Sequence, residues 1–401
     1  MSGETSDQMS DIRDDVAEGF EHLFGYPPSG IWSAPGQLSL IGDPAQGCAV
    51  LLAISRRTVV ACALRDDTIA RLANACADEV VQCDLASLNP QLLSGWAAHP
   101  LGVAWALAEG HCARAAAGSA VRGFDCFIES DVAEGTGLSS SAALESAVAL
   151  ALNELWELGL DRQQLPTLGQ TATLGQTATL GHTGTVSQRV ASEVALSGAT
   201  DCALFFNSRT RSGELFSLGF ESAGLAILVI DSGVDRADAA QGDLDRRASC
   251  DRAARALGVS SLNDLTIDDL PRARLLLEHQ DFRRLKHVIT ENQRVLETCA
   301  ALRVADFAAV GRLLDESHAS LRDDYDVSVV ELDLAVETAQ MTGALGARMI
   351  GGGVGAGAIA LAPLDEIPRI QMAIGGAFIE HGFEVPDSFV VRASHGAARE
   401  R

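Results

Sequence analysis

Two rhythms of apolar residues alternate along the chain, and the points where one gives way to the other mark its elements. In DIRDDVAEGFEHLF, Ile12, Val16, Phe20 and Phe24 follow at i+4 spacing and acidic residues crowd the first turn. That pattern predicts a helix from Asp11, ended by FGYPPSG, with the polar residues 1–10 frayed. IWSAPGQLSLIGD reads as an apolar strand running into a turn, and CAVLLAISRRTVVACALRDD as two β-branched runs split by the polar SRR. A wide apolar stripe from Gly95 to Glu109 predicts a buried helix, and VRGFDCFIESDV a strand. From Leu204 onward, the β runs ALFFN, ELFSL and LAILVID mix with the helical segments DRRASCDRAARALG, ELDLAVETAQM and LDEIPRIQMAIGGAFIEHGF. GARMIGGGVGAGAIALAP sets a glycine cluster before another strand, and SFVVRAS is the last.

Strands and helices mix in both halves without a regular βα alternation, so the expected class is α+β. A chain of 401 residues exceeds the size at which one core stops growing. Two α+β domains are expected, over residues 1–215 and 216–401. Between the halves of the first domain lies TLGQTATLGQTATLGHTGT, Thr167 to Thr185, an imperfect hexad repeat. Its regular glycines and many threonines make a poor helix, so a flexible loop without chemical role is expected.

The stretch that carries chemistry is EGTGLSSSAALE, from Glu134 to Glu145. Gly135 and Gly137 can take left-handed backbone angles, and Ser139, Ser140 and Ser141 then lead into a long apolar helix. Unpaired amides in a first helical turn, the macrodipole and three hydroxyls together make an anion cradle. The same residues also suit an ordinary capped helix after a glycine turn.

Composition narrows the ligand. A net charge of −24 repels nucleic-acid backbones and anionic membrane surfaces, so neither is expected as a partner. Lys286 is the only lysine, which excludes a P-loop lysine. The nine cysteines lack any CxxC and are expected as buried free thiols in a reducing compartment. No early stretch pairs a basic flank with an apolar run, and no apolar span is long enough for a bilayer. A soluble cytoplasmic protein, acting as a monomer, is the expectation.

APGQLSLIGD, EGTGLSSSAALE and RMIGGGVGAGAIAL, with ITENQRV and SLRDDYDVSVVELDLAVETA between the last two, form an ordered set. Over nearly its whole length the chain resembles the galactokinases of the GHMP small-molecule kinase superfamily. The resemblance implies two α+β domains with the active site in the cleft between them, and an ATP- and Mg²⁺-dependent transfer to the anomeric hydroxyl of a sugar. By the same resemblance Gly135, Gly137, Leu138, Ser139, Ser140, Ser141 and Ala142 would hold the phosphates. Ser141 or a neighbouring serine would help hold Mg²⁺, and Gly351 to Gly353 would brace the loop from the facing domain.

The chain departs from that family's pattern mainly on the sugar side. Gln37 stands where the family has an arginine, and DPAQG replaces an EHTDY loop, leaving Asp43 as a shortened carboxylate. The catalytic aspartate falls on Asp201 in GATDC, which reads equally well as a loop aspartate capping a turn. The family's metal-linked glutamate falls on Ala191, with Glu193 the nearby substitute, and a sugar-contacting tyrosine falls on Leu244. On the nucleotide side the changes are Ala133 for a proline, and Val354 and Ala356 for Phe and Gly. Each lost charge contact at the transition state costs roughly 10²- to 10³-fold in rate. Three readings compete: a sugar-1-kinase, a catalytically impaired ATP-binding sensor or regulator, and a folded remnant that binds nothing. Phosphoryl transfer, an ATP-induced rise in melting temperature, and neither, respectively, distinguish them.

Overall fold

The computed structural model describes residues 3–76, 79–114, 121–166, 182–234, 239–350 and 357–401. Helix α1 (Gly3–Phe24) is followed by strands β1 (Gly30–Gly42), β2 (Cys48–Leu64), β3 (Ile69–Asn74) and β4 (Val81–Asp84). Next come α2 (Ala98–Arg114), β5 (Phe124–Ser130), α3 (Ser140–Leu155) and α4 (His182–Ser197), then β6 (Cys202–Asn207), β7 (Ser212–Ser217) and β8 (Leu225–Asp231). Helices α5 (Ala239–Leu257), α6 (Leu270–Leu276), α7 (His279–Arg303), α8 (Phe307–Ser320) and α9 (Val330–Met341) lead to β9 (Gly346–Met349) and β10 (Gly357–Pro363). Helix α10 (Ile367–His381), β11 (Asp387–Val391) and β12 (Ala398–Arg399) complete the chain. The fold is α+β, as expected.

The larger sheet has the order β12-β1-β2-β5-β3-β4, with β6 on the first part of β2 and β7 on β6. The smaller is β11-β8-β10-β9, antiparallel throughout. One face of the larger sheet packs Trp32, Val60, Phe124 and Cys126 against Leu101, Leu107, Val148 and Leu152 of α2 and α3. The other meets α1 through Val16, Phe20, Ile31 and Val59.

Period-two alternation explains how the smaller sheet is buried on both sides. Ile227, Val229, Ile359 and Leu361 face a core shared with Leu38, Leu40, Val50 and Leu52 of the larger sheet and Val295 and Leu314 of α7 and α8. Leu228, Ile230, Ala358 and Ala360 face α9 and α10 through Leu332, Val336, Ile370 and Phe378. The first of these cores joins the two sheets, so the halves of the chain share apolar interior.

Several expectations are corrected. Helix α1 starts at Gly3, ahead of Asp11. SRR does not split the second strand, because β2 is continuous. Arg57 is buried inside it, donating to Ser33 Oγ at 2.9 Å and to the carbonyls of His395 and Gly396 at 2.9 Å each. SFVVRAS is not the last strand either, since the tail returns to pair Ala398 and Arg399 with β1. Most of the hexad repeat, residues 167–181, lies outside the described residues, and its final part, His182–Thr185, opens α4 instead of a loop. The described cysteines are free thiols, but only Cys62, Cys126 and Cys299 are buried; Cys48, Cys83, Cys202 and Cys250 are half-buried and Cys76 is exposed. Among the described residues no helix is long and apolar enough to cross a membrane.

The close approach of α8 and β9 depends on two glycines. A Cβ on Gly311 would stand 2.0 Å from the Leu345 carbonyl oxygen, and one on Gly346 2.0 Å from that of Gly311. Backbone cannot swing aside as a side chain tip can, so Gly311→Ala should cost about 1–3 kcal/mol. A lower urea midpoint at unchanged slope would register it.

Candidate active site

The site begins where β1 touches the Gly/Ser turn. The register of β1 against β2 slips between Pro35 and Gln37, a bulge that leaves Gly36 unpaired and re-aims the strand beyond it. A Cβ on Gly36 would lie 3.0 Å from the Leu138 carbonyl oxygen, so glycine permits the approach. Gln37 N then donates to that carbonyl at 2.9 Å. In return the Ser139 hydroxyl donates to Gln37 Oε1 at 2.9 Å.

This exchange shapes the helix start. Gly135 (φ +79°), Gly137 (φ +88°) and Ser139 (φ +56°) all have left-handed backbone, which for the serine costs about 1–2 kcal/mol. Because the Ser139 side chain is spent on Gln37, it makes no capping bond to α3, and first-turn amides keep their donor capacity. Ser140 and Ser141 are half-buried, with hydroxyls that make no hydrogen bond among the described residues. Leu138 and Ala142 are buried beneath them. Gly357 presses on this turn, since a Cβ there would sit 2.6 Å from the Thr136 carbonyl oxygen. The chain just after the third glycine cluster thus packs on the Gly/Ser turn; Gly351 to Gly353 themselves lie outside the described residues.

One turn further along α3, the buried Glu145 accepts from His99 Nδ1 at 2.9 Å and Gln188 Nε2 at 2.8 Å, tying α2 and α4 to α3. Sequence reasoning passed over it. The available signal was a carboxylate inside the otherwise apolar SAALESAVALAL, which needs partners when buried.

Asp43 opens the turn between β1 and β2. Its carboxylate accepts from Ala45 N at 2.9 Å and Gln46 Nε2 at 2.8 Å. Burial pushes its pKa up, with those two hydrogen bonds pulling the other way. It lines a cavity of about 10 Å³, room for about one water, together with Gln46, His287, Glu291, Asn292 and Arg348. Asp201 lines a different cavity, of about 60 Å³, with Phe220, Glu221, Leu364 and Arg392. Its backbone is left-handed (φ +52°), and its carboxylate accepts from Gly219 N at 3.1 Å and Ser217 Oγ at 3.4 Å. Those bonds cap the turns beside β6 and β7. The fold therefore brings Gln37 and Ser139 together, and it places Asp43 and Asp201 in separate cavities.

Glu193 is half-buried on α4, its pKa raised by burial against the pull of Arg189, while Ala191 is buried in the helix packing. Leu244 is exposed on α5. The described residues contain no group of three or more His, Cys, Asp or Glu that could hold a metal. Free hydroxyls and a carboxylate are hard oxygen donors, which fit Mg²⁺, an ion that takes few protein ligands and leans on substrate phosphates.

Comparison with known proteins places these features in a family. The galactokinase galactose-binding signature matches residues 18–64, spanning Gln37 and Asp43. The GHMP kinases N terminal domain matches residues 99–184 and the GHMP kinases C terminal domain residues 273–380. A galactokinase of Streptomyces coelicolor is 39% identical, covering 96% of this chain and 97% of its own. The chain belongs to the galactokinase family. A Mycobacterium tuberculosis galactokinase is 36% identical over 92% of this chain and 99% of its own. The crystal structure of Lactococcus lactis galactokinase complexed with galactose superimposes with a TM-score of 0.85 at 26% identity, covering 97% of this chain and 100% of that one. A mevalonate kinase structure, at TM-score 0.65 and 16% identity, covers 91% of this chain and 99% of its own and shares the fold. The galactose-binding signature of this galactokinase-family chain thus covers the β1 bulge and the Asp43 turn.

Beside Asp43, burial lowers His287 to about 4, helped by Arg294 and Arg348 and opposed by Glu291 and Asp324. Its Nδ1 pairs with Ser320 Oγ at 2.9 Å. Unfolding restores a pKa near ~6.5, so the unfolded chain binds the extra proton between the two values. The stability His287 contributes is therefore complete above about 6.5 and lost as pH falls through about 4, in total on the order of 3 kcal/mol. Denaturation measured across that window should flatten in His287→Gln; an unchanged slope would refute the assignment.

Proposed function

We propose that the chain transfers the γ-phosphoryl group of ATP to the anomeric hydroxyl of galactose or a closely related sugar, with Mg²⁺ as the accompanying ion. The carrying observation is the Gly/Ser helix start with uncommitted first-turn amides and serine hydroxyls, held against β1 in a chain similar to galactokinases over its whole length. Gly135, Gly137, Leu138, Ser139, Ser140 and Ala142 would line the phosphates. Ser141 and Glu193 would hold Mg²⁺, which when bound neutralises phosphate charge. Gln37, its Oε1 occupied by Ser139, keeps its amide donor for the transferring group. Asp43 is the candidate carboxylate for the acceptor's other hydroxyls, and to reach them it must give up its bonds to Ala45 N and Gln46 Nε2. Asp201 is the candidate carboxylate for the anomeric hydroxyl, and to serve it must leave its bonds to Gly219 and Ser217. Residues 1–215 and 216–401 would act as the two lobes of a cytoplasmic monomer.

The test is direct. Purified chain with ATP, Mg²⁺ and a panel of sugars should release ADP and form a sugar 1-phosphate. Silence across the panel with the fold intact would overturn the reading; a melting temperature that still rises with ATP would then leave nucleotide binding alone.

Two substitutions grade the roles. Gln37→Arg returns a positive charge to the reacting centre and should raise kcat by ~10-fold or more. Asp201→Asn should lower kcat by ~10²-fold if the carboxylate acts on the acceptor. Unchanged turnover with a lowered melting temperature would leave Asp201 as a turn cap.

A further inference from the structure

The turn carrying Asp43 is fixed at both ends by neighbouring residues of a helix from the other half of the chain. At its start, Gly42 N donates to Glu291 Oε1 at 3.3 Å. At its end, Cys48 N donates to Asn292 Oδ1 at 2.8 Å. Two glycines let α7 come this close. A Cβ on Gly42, at φ +84°, would lie 2.6 Å from Val295 Cγ2, and one on Gly47 1.9 Å from Asn292 Oδ1. Residues 291, 292 and 295 share one face of a helix, so a single rigid surface meets both ends of the turn.

That surface is itself anchored. Glu291 Oε1 also accepts from Ser317 Oγ at 2.6 Å, and its Oε2 from Arg294 Nε at 2.8 Å. Arg348, buried on β9 with a nitrogen 3.9 Å from Glu291, donates to the Leu40 carbonyl at 3.2 Å, two residues before the turn. Asn292 Nδ2 donates to Asn263 Oδ1 at 3.2 Å. Within the turn, the carbonyl of Asp43 accepts from Gln46 N at 3.0 Å and Gly47 N at 2.9 Å. A shift of α7 against β1 therefore has to move the turn as a unit.

The geometry points to α7, through Glu291 and Asn292, as the positioning element for the acceptor: these side chains hold the Asp43–Gly47 turn in place and set sugar affinity, while leaving nucleotide affinity to the Gly/Ser turn. Neither side chain is placed on the substrate; they act through the backbone of the turn. The inference rests on the proposed kinase reading for the word acceptor, and on the hydrogen bonds alone for the clamp.

Asn292→Ala is the primary variant, because Asn292 is half-buried whereas Glu291 sits among buried charges. Removing the acceptor of the Cys48 amide should raise KM for galactose by roughly fivefold or more. KM for ATP should stay within about twofold, since the Gly/Ser turn makes no bond to Asn292. Asn292→Asp keeps an oxygen for Cys48 N and should restore most of the galactose KM. A general loss of structure would instead depress kcat and shift both KM values, without rescue by Asp. Equal shifts in both KM values, or none, would overturn the positioning role.

A readout independent of turnover separates this inference from the function beneath it. Amide hydrogen exchange at Gly42–Cys48 should accelerate in Asn292→Ala relative to the parent chain, whether or not the parent phosphorylates any sugar. Unchanged exchange would overturn the clamp. Faster exchange in a chain that proves inactive would uphold the clamp while the kinase reading fails.

Discussion

The constraint on which the rest of the structure depends is the burial of Glu291 and Arg348 where the two sheets meet. Burying either charge alone would cost several kcal/mol, and desolvation does push Glu291 upward. Arg348, His287 and Arg294, with the Ser317 hydroxyl, outweigh that and hold the carboxyl at about 2. Burial likewise drives Arg348 downward, against the attraction of Glu291. Such a pair is no better for stability than a good apolar plug, but it is far more exacting about geometry. Each member reaches backbone of β1, Glu291 at Gly42 and Arg348 at Leu40. The apolar residues around them, Leu38, Leu40, Val295 and Leu314, would tolerate sliding; the charges do not. The first strand is thus held at one fixed height against the second sheet.

From that fixed strand the candidate site extends in two directions. Toward the middle of β1, the Gly36 bulge turns Gln37 to the Gly/Ser turn, and a bond in each direction settles the left-handed Ser139. At the end of β1, the strand delivers Asp43. One strand therefore sets both the helix start proposed for phosphates and the turn proposed for the acceptor, and the separation between them is a property of a single β ladder.

The sequence made part of this legible. Apolar runs located β1, β5, β8 and β10, and the glycines and serines of EGTGLSSSAALE announced α3 and its special start. The features that stayed hidden depend on partners distant in the chain. SRR looked like a break because nothing nearby could satisfy Arg57, whose acceptors come from Ser33, His395 and Gly396. Glu145 looked like one polar residue among alanines, since His99 and Gln188 lie far from it in sequence. ITENQRV was legible as a family stretch, yet nothing local says that its Glu291 and Asn292 grip a turn some 250 residues earlier. Asp201 was open to two readings in the sequence, the family's catalytic aspartate and a turn cap, and its partner Gly219, 18 residues on, is visible only in the fold.

The return of the tail to the first sheet bears on how the molecule is made. Strand β12 pairs with Trp32 and Ser33, Glu400 accepts from Ser33 Oγ at 2.6 Å, and Gly396 and Ala397 bond the end of α4. On a ribosome the N-terminal half emerges first, yet the strand that pairs with Trp32 and Ser33 and two of the three acceptors for Arg57 come from residues 395–399. Until then β1 lacks its partner at Trp32 and Ser33, and the Arg57 guanidinium has Ser33 but neither carbonyl of 395–396. Closing a loop of this length is slow relative to local contacts, so the nascent first half has to wait in an incomplete state. The chain is in this sense laced shut from its far end, and a copy interrupted shortly before residue 395 would lack the stitch that completes the half synthesised first.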